Sequence, residues 1–219
     1  MSRLYIPWFY RYVRAIWIMD EKIETIRQYI KEVFRQKGSH GLDHVLRVEY
    51  LCEVIGKRER AEMGILLPAA LFHDIAQPIE REKGIPHEEE GARMAEDYLR
   101  SIHYDENRIR KITHAIRTHR YRSIKKPGTL EARILSDADK LDAMGAVGIA
   151  RTFIRAGEYG GDISDAVDHI NHKLLNLNGL MYTETAKQLA RERHRYLCAF
   201  LETLTGEITL PASRPDAPH

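Results

Sequence analysis

The chain has 219 residues, 43% of them hydrophobic, which is enough to enclose one substantial core and gives no reason to expect a second. Its 34 basic and 32 acidic side chains leave a net charge of +2, so no global basic field points to stable nucleic-acid binding or to an anionic membrane. The two cysteines, Cys52 and Cys198, lack paired spacing, no secretory signal is visible, and the expected location is a reducing cytoplasm.

Residues 1–19 form a segment of their own, in which Trp8, Phe9, Tyr10, Tyr12 and Trp17 mix with Arg3, Arg11 and Arg14. Such a mixture suits an interfacial membrane anchor or a helix packed on the domain or a partner subunit. The lack of a long apolar run favours the second and predicts no transmembrane segment, leaving a homodimer open. Helical periodicity then dominates, with helices expected over 20–36, 42–57, 60–76, 87–102, 105–120, 130–156, 163–177 and 182–204, parted by Gly and Pro. In the second helix, Val45, Val48, Cys52 and Ile55 form a stripe that docks the element and mounts His44 beside it. Pro68 predicts a helix start or kink ahead of His73. The fold class is all-α, a single-domain helical bundle over residues 20–205, with 206–219 read as a flexible tail.

His73 and Asp74 stand out inside the apolar run from Leu66 to Ala76, where an imidazole and a carboxylate are costly to bury unless paired or bound to a metal. His44 and Asp139 complete a set of two imidazoles and two carboxylates. That set suits Mn, Fe, Co, Ni or Zn with positions left for water, and the absence of thiolates argues against a closed structural zinc site. Taken singly, each residue has an ordinary reading as a helix-start residue, a core histidine or a cap; together they favour a metal. Spacing alone does not separate Asp137 from Asp139, because helical residues two apart face different directions.

The ordered signature His44, then His73-Asp74, then Asp139, with the flanks His40-Gly41-Leu42-Asp43-His44 and Asp137-Ala138-Asp139-Lys140-Leu141-Asp142, resembles the HD superfamily of metal-dependent phosphohydrolases, and within it the small single-domain bacterial and archaeal branch. The resemblance implies an all-helical domain with His44, His73, Asp74 and Asp139 as ligands of one divalent ion (Mn, Fe, Co, Ni, Mg or Zn), and it selects Asp139 over Asp137. It also implies that Asp74 orients the attacking water. In branches with two metals, histidines in segments comparable to those of His87 and His119 bind the second ion, so a second metal has a place. The chain departs from the branch at Gly41 and at Gln77-Pro78.

Substrate-facing candidates surround this set. His87 and His119 share helical register with apolar neighbours, and His40 lies one turn before His44. Arg47 and Lys140 place two cations near any phosphate held there and are assigned catalytic charge stabilisation with Asp74, with salt bridges to nearby acidic residues as the equal alternative. The group Arg117, Arg120, Arg122, Lys125 and Lys126 offers a landing place for a triphosphate tail, against the plainer reading of a solvated basic loop. The expected activity is hydrolysis of a phosphoester or phosphoanhydride, with a nucleotide as the small-molecule substrate and water as the nucleophile. Two alternatives are carried: a di-iron oxygenase and a non-catalytic nucleotide-binding regulator.

Overall fold

A long first helix, α1 (Trp8–Val33), opens the computed structural model, which describes residues 8–34, 41–121 and 125–209, with side chains from residue 21 onward. It continues without a break from the aromatic segment into the stripe Ile23, Ile26 and Ile30, which is buried in the core. The aromatic side chains of residues 8–17, His40 and Arg122 lie outside the described side chains. Helices α2 (Leu42–Glu59), α3 (Met63–Phe72), α4 (Gln77–Lys83), α5 (His87–Ser101) and α6 (Glu106–Thr118) follow. Then come α7 (Leu130–Asp142), α8 (Gly145–Glu158), α9 (Ile163–His172), a 3-10 helix (Leu174–Leu180) and α10 (Glu184–Ile208). The fold is all-α, with no strand among the described residues.

The second helix buries Val45, Val48, Cys52 and Ile55 completely, as its stripe predicts, and packs on α3 and α7. Helix α3 is apolar on all sides and becomes the central rod, touching α1, α2, α6 and α7. Pro68 sits inside this rod and has no N–H to donate to the Gly64 carbonyl one turn back. The Tyr104 hydroxyl supplies the missing donor to that oxygen at 2.7 Å. The helix therefore runs past the proline and ends at Phe72, four residues short of the expected end. Residues His73 to Ala76 form tight turns, closed by Ile75 N–H to the Phe72 carbonyl and Gln77 N–H to the Asp74 carbonyl. The seven-residue α4 comes next, in a stretch between Ala76 and His87 where no helix is expected from the sequence.

The expected helix over 130–156 is two helices. Gly145 adopts φ +69°, a left-handed conformation that costs glycine little, and α8 leaves in a new direction. A Cβ on Gly148 would lie 2.2 Å from the Ala143 carbonyl oxygen, so this residue must stay bare for the turn to close. At the far end, α10 begins on Asp137 of α7, whose carboxylate accepts from the Tyr182 and Thr183 N–H groups and the Thr183 hydroxyl. It continues to Ile208, into the stretch read as tail; residues 210–219 lie outside the described chain. Both cysteines are free thiols, Cys52 buried and Cys198 exposed. No described helix is long and apolar enough to cross a membrane.

Candidate metal centre

The second, third and seventh helices deliver the three parts of the sequence signature to one buried point. His44, at the start of α2, is wholly enclosed, and so is His73 just past the end of α3. Their Nε2 atoms are 3.2 Å apart. From His44 Nε2, Asp74 Oδ2 is 3.4 Å away and Asp139 Oδ1 is 3.5 Å away. On the opposite side of Asp74, Oδ1 faces His87 Nε2 at 3.4 Å and His119 Nε2 at 3.7 Å, and these two nitrogens are themselves 3.4 Å apart. Asp74 thus stands between two imidazole pairs, one carboxylate oxygen for each.

The outward nitrogen of every imidazole has an oxygen to donate to. His73 Nδ1 meets the Ala70 carbonyl at 2.7 Å and His119 Nδ1 the Ile116 carbonyl at 2.7 Å. His44 Nδ1 meets Asp142 Oδ2 at 2.7 Å, and His87 Nδ1 meets Glu80. A donor proton fixed on Nδ1 leaves Nε2 as a lone pair, so four lone pairs converge on Asp74 and Asp139. Lone pairs 3.2–3.4 Å apart repel unless a proton or a cation lies between them. Ligands bonded at about 2.1 Å to one tetrahedral or octahedral ion stand roughly 3.0 to 3.4 Å apart, close to the spacing found. His44, His73 and Asp139, and separately Asp74, His87 and His119, each present one ligand atom within 4.8 Å of the others in the set. The residues fit a divalent cation.

The titration pattern follows from the same enclosure. Burial opposes charge on His44, yet the Asp142 and Asp74 carboxylates lift it from 6.5 to about 9, so without an ion this imidazole carries the proton that a cation would displace. Burial presses His73 down to about 4. Asp74 and Asp139 are penalised by burial but pulled below the usual carboxylate range by the surrounding imidazoles.

The sequence-predicted residues separate cleanly in space. Asp139 joins the cluster, whereas Asp137 is spent on the start of α10 and on Lys140 Nζ at 3.3 Å. Arg47 does not face the cluster: its Nε reaches Asp142 Oδ1 at 2.8 Å and its NH1 reaches Asp43 at 2.7 Å. With Arg151, 2.7 Å from Asp142 Oδ2, it holds the carboxylate that orients His44. Lys140 is buried against Asp137, its Nζ 4.7 Å from the Tyr182 ring centroid, and the residue lines two neighbouring cavities. In the basic group, Arg117 and Lys125 pair with Glu89, and Arg120 pairs with Glu80 and Glu88. His114 accepts from Gly128 N–H at 3.0 Å and is structural.

A cavity of about 410 Å³ opens beside Asp74, His87, His119 and Asp139, walled by Tyr121, Arg155, Tyr159 and Lys173. Sequence reasoning missed Tyr121, Arg155, Tyr159 and Lys173. The one signal available was Gly145 followed by Gly148, which breaks the long helix and turns α8 back over the site.

A protein-family model described as HD domain matches residues 41–144. The uncharacterized protein YpgQ of Bacillus subtilis (strain 168) is 34% identical over 199 residues, which is 86% of this chain and 94% of that one. Its crystal structure superposes with a TM-score of 0.71 at 32% identity, covering 87% of this chain and 97% of that one. The structure of YpgQ in complex with ADP gives a TM-score of 0.70 at 31% identity, covering 85% and 98%. A predicted HD superfamily hydrolase from an uncultured Thermotogales bacterium gives 0.66 at 30% identity, covering 84% and 91%.

Proposed function

Because this chain belongs to the HD-domain family, we propose that it is a metal-dependent phosphohydrolase that cleaves a phosphoester or phosphoanhydride bond of a nucleotide. One observation carries the reading: four imidazoles with Nδ1 committed outward aim Nε2 at two carboxylates, in a cavity whose outer wall is cationic. The nucleotide is supported by a relative of like fold, YpgQ, having been crystallised with ADP.

In this reading His44, His73, Asp74 and Asp139 hold one essential divalent ion, and Asp74 Oδ1 with His87 and His119 offers a place for a second. The ion's chemistry is to acidify water and to polarise a phosphoryl oxygen. Asp74 orients the water, whose oxygen forms the new bond to phosphorus while the bond to the leaving oxygen breaks. Arg155 and Arg120 offset charge on the phosphate at the ion. Asp142, held by Arg47 and Arg151, keeps His44 in its binding tautomer.

The test is phosphate release from a panel of nucleotides and simple phosphoesters. It uses metal-stripped protein reloaded with Mn, Mg, Co, Ni or Fe, with His73→Ala and Asp74→Ala beside it. Release that needs metal and vanishes in both variants is expected. The split of Asp74 between two imidazole pairs also favours one other reading, a di-iron oxygenase. Two irons per chain, visible colour and no phosphate release from any compound would select it.

A further inference from the structure

Three cavities meet beside the candidate metal centre, and Tyr121 and Lys173 line all of them. The first is the chamber over Asp74. The second, about 110 Å³, runs behind Asp139 between Thr152 and Leu177. The third, about 640 Å³, shares Tyr121 with the chamber and is bordered by Arg120, Lys125, Lys126, Lys140 and Lys173. Their charges differ in kind. The chamber holds Asp74, Glu80 and Asp139, whereas among the described residues no acidic side chain lines the third cavity. Lys173 lines both, its Nζ 5.8 Å from the centroid of the Tyr121 ring. It occupies the joint between α9 and the 3-10 helix, beyond the residues matched by the family model.

We infer that Lys173, braced on Tyr121, is a specificity-determining residue that passes the anionic arm of the substrate from the metal chamber into the acid-free cavity. The substrate class it selects is a chain of two or more phosphoryl groups, one at the ion and the next beyond the lysine. A single phosphate is held at the ion and gains little from the cavity. A longer chain meets Lys173 and then Lys126, each a charge-assisted partner for phosphate oxygens. The inference rests on the phosphohydrolase reading for where the first phosphoryl sits; the discrimination by length rests on the cavity itself.

The test is calorimetric titration of the full chain, at a fixed free Mg2+ concentration, with inorganic phosphate, pyrophosphate and tripolyphosphate. Affinity rises with chain length in the wild type. K173A weakens pyrophosphate and tripolyphosphate about tenfold, the loss of one charged hydrogen bond, and leaves phosphate nearly unchanged. K173R restores most of the loss, and K126A weakens tripolyphosphate alone. Metal affinity and melting temperature are the same in all variants. Equal losses for all three anions in K173A, no loss at all, or a wild type that does not prefer the longer chains would overturn the inference. None of these readouts requires turnover, so absent hydrolysis counts against the phosphohydrolase reading and not against this one.

Discussion

The two imidazole pairs on either side of Asp74 look alike in composition and differ in what stands behind them. Behind His44 lies Asp142, itself buried and fastened by Arg47 and Arg151, and behind His73 lies a helix carbonyl in the central rod. Behind His87 lies Glu80, 26% exposed, on a seven-residue helix that makes little other contact with the core. The first pair is set by the packed interior. In the second, His119 is likewise held by the Ile116 carbonyl, but His87 depends on a side chain that water reaches, so its geometry can relax when that support changes. On the proposed reading, a site of this form would hold one ion firmly and a second on easier terms.

That contrast is broken most directly at the shared carboxylate. Asp74→Ala and His73→Ala are expected to lose activity by roughly a thousandfold or more, since several kcal/mol of charge stabilisation goes with the ion. Metal content after dialysis and phosphate release should fall together. Asp142→Asn keeps the shape but removes the charge that orients His44, and a loss of metal affinity of about 10- to 100-fold is expected by competition with a chelating dye. Glu80→Ala should cost less than about tenfold, confined to the second equivalent in a metal titration, because water can take the place of an exposed acceptor. If Glu80→Ala matches Asp142→Asn in the first equivalent, the two sides are not distinct.

The smallest effect is in pH. The pKa of His44 is raised from 6.5 to about 9 by folding, so its contribution to stability is complete below 6.5 and is lost as pH rises through about 9. The metal-free protein should therefore melt a few degrees lower at about pH 9.5 than at about pH 7. With the ion in place of the proton, that alkaline decline should disappear in scanning calorimetry.

How much of this was legible in the sequence follows from which forces are local. The stripes of α2 and α6 and the order His44, His73-Asp74, Asp139 could be read because helical period and motif spacing are written residue by residue. The bend at Gly145 lay inside an otherwise helical pattern, where Gly145 and Gly148 were its only mark and each glycine alone is tolerated. With it went the position of α8, and so Arg151 as a partner of Asp142 and Arg155 as a wall of the chamber. The two acids Asp137 and Asp139 were inseparable by spacing, and what divides them is tertiary: the start of α10 lies against one and His44 against the other. Arg47 could be read as a substrate contact or as a salt-bridge partner, and only the folded chain shows that its partner is Asp142.

The hydrogen bond from His44 to Asp142 joins positions 98 residues apart. Closing so long a loop requires α2 and α7 to have docked already, and the entropy of that closure is met by the core they share with α3. The metal centre is consequently a late product of folding. A chain still emerging during synthesis carries His44, His73 and Asp74 long before Asp139 and Asp142 arrive, and in that interval it has scattered ligands without a site. On the proposed reading, ion capture would wait until the hydrophobic interior has formed, unlike in small metal-nucleated domains whose folding begins at the ion.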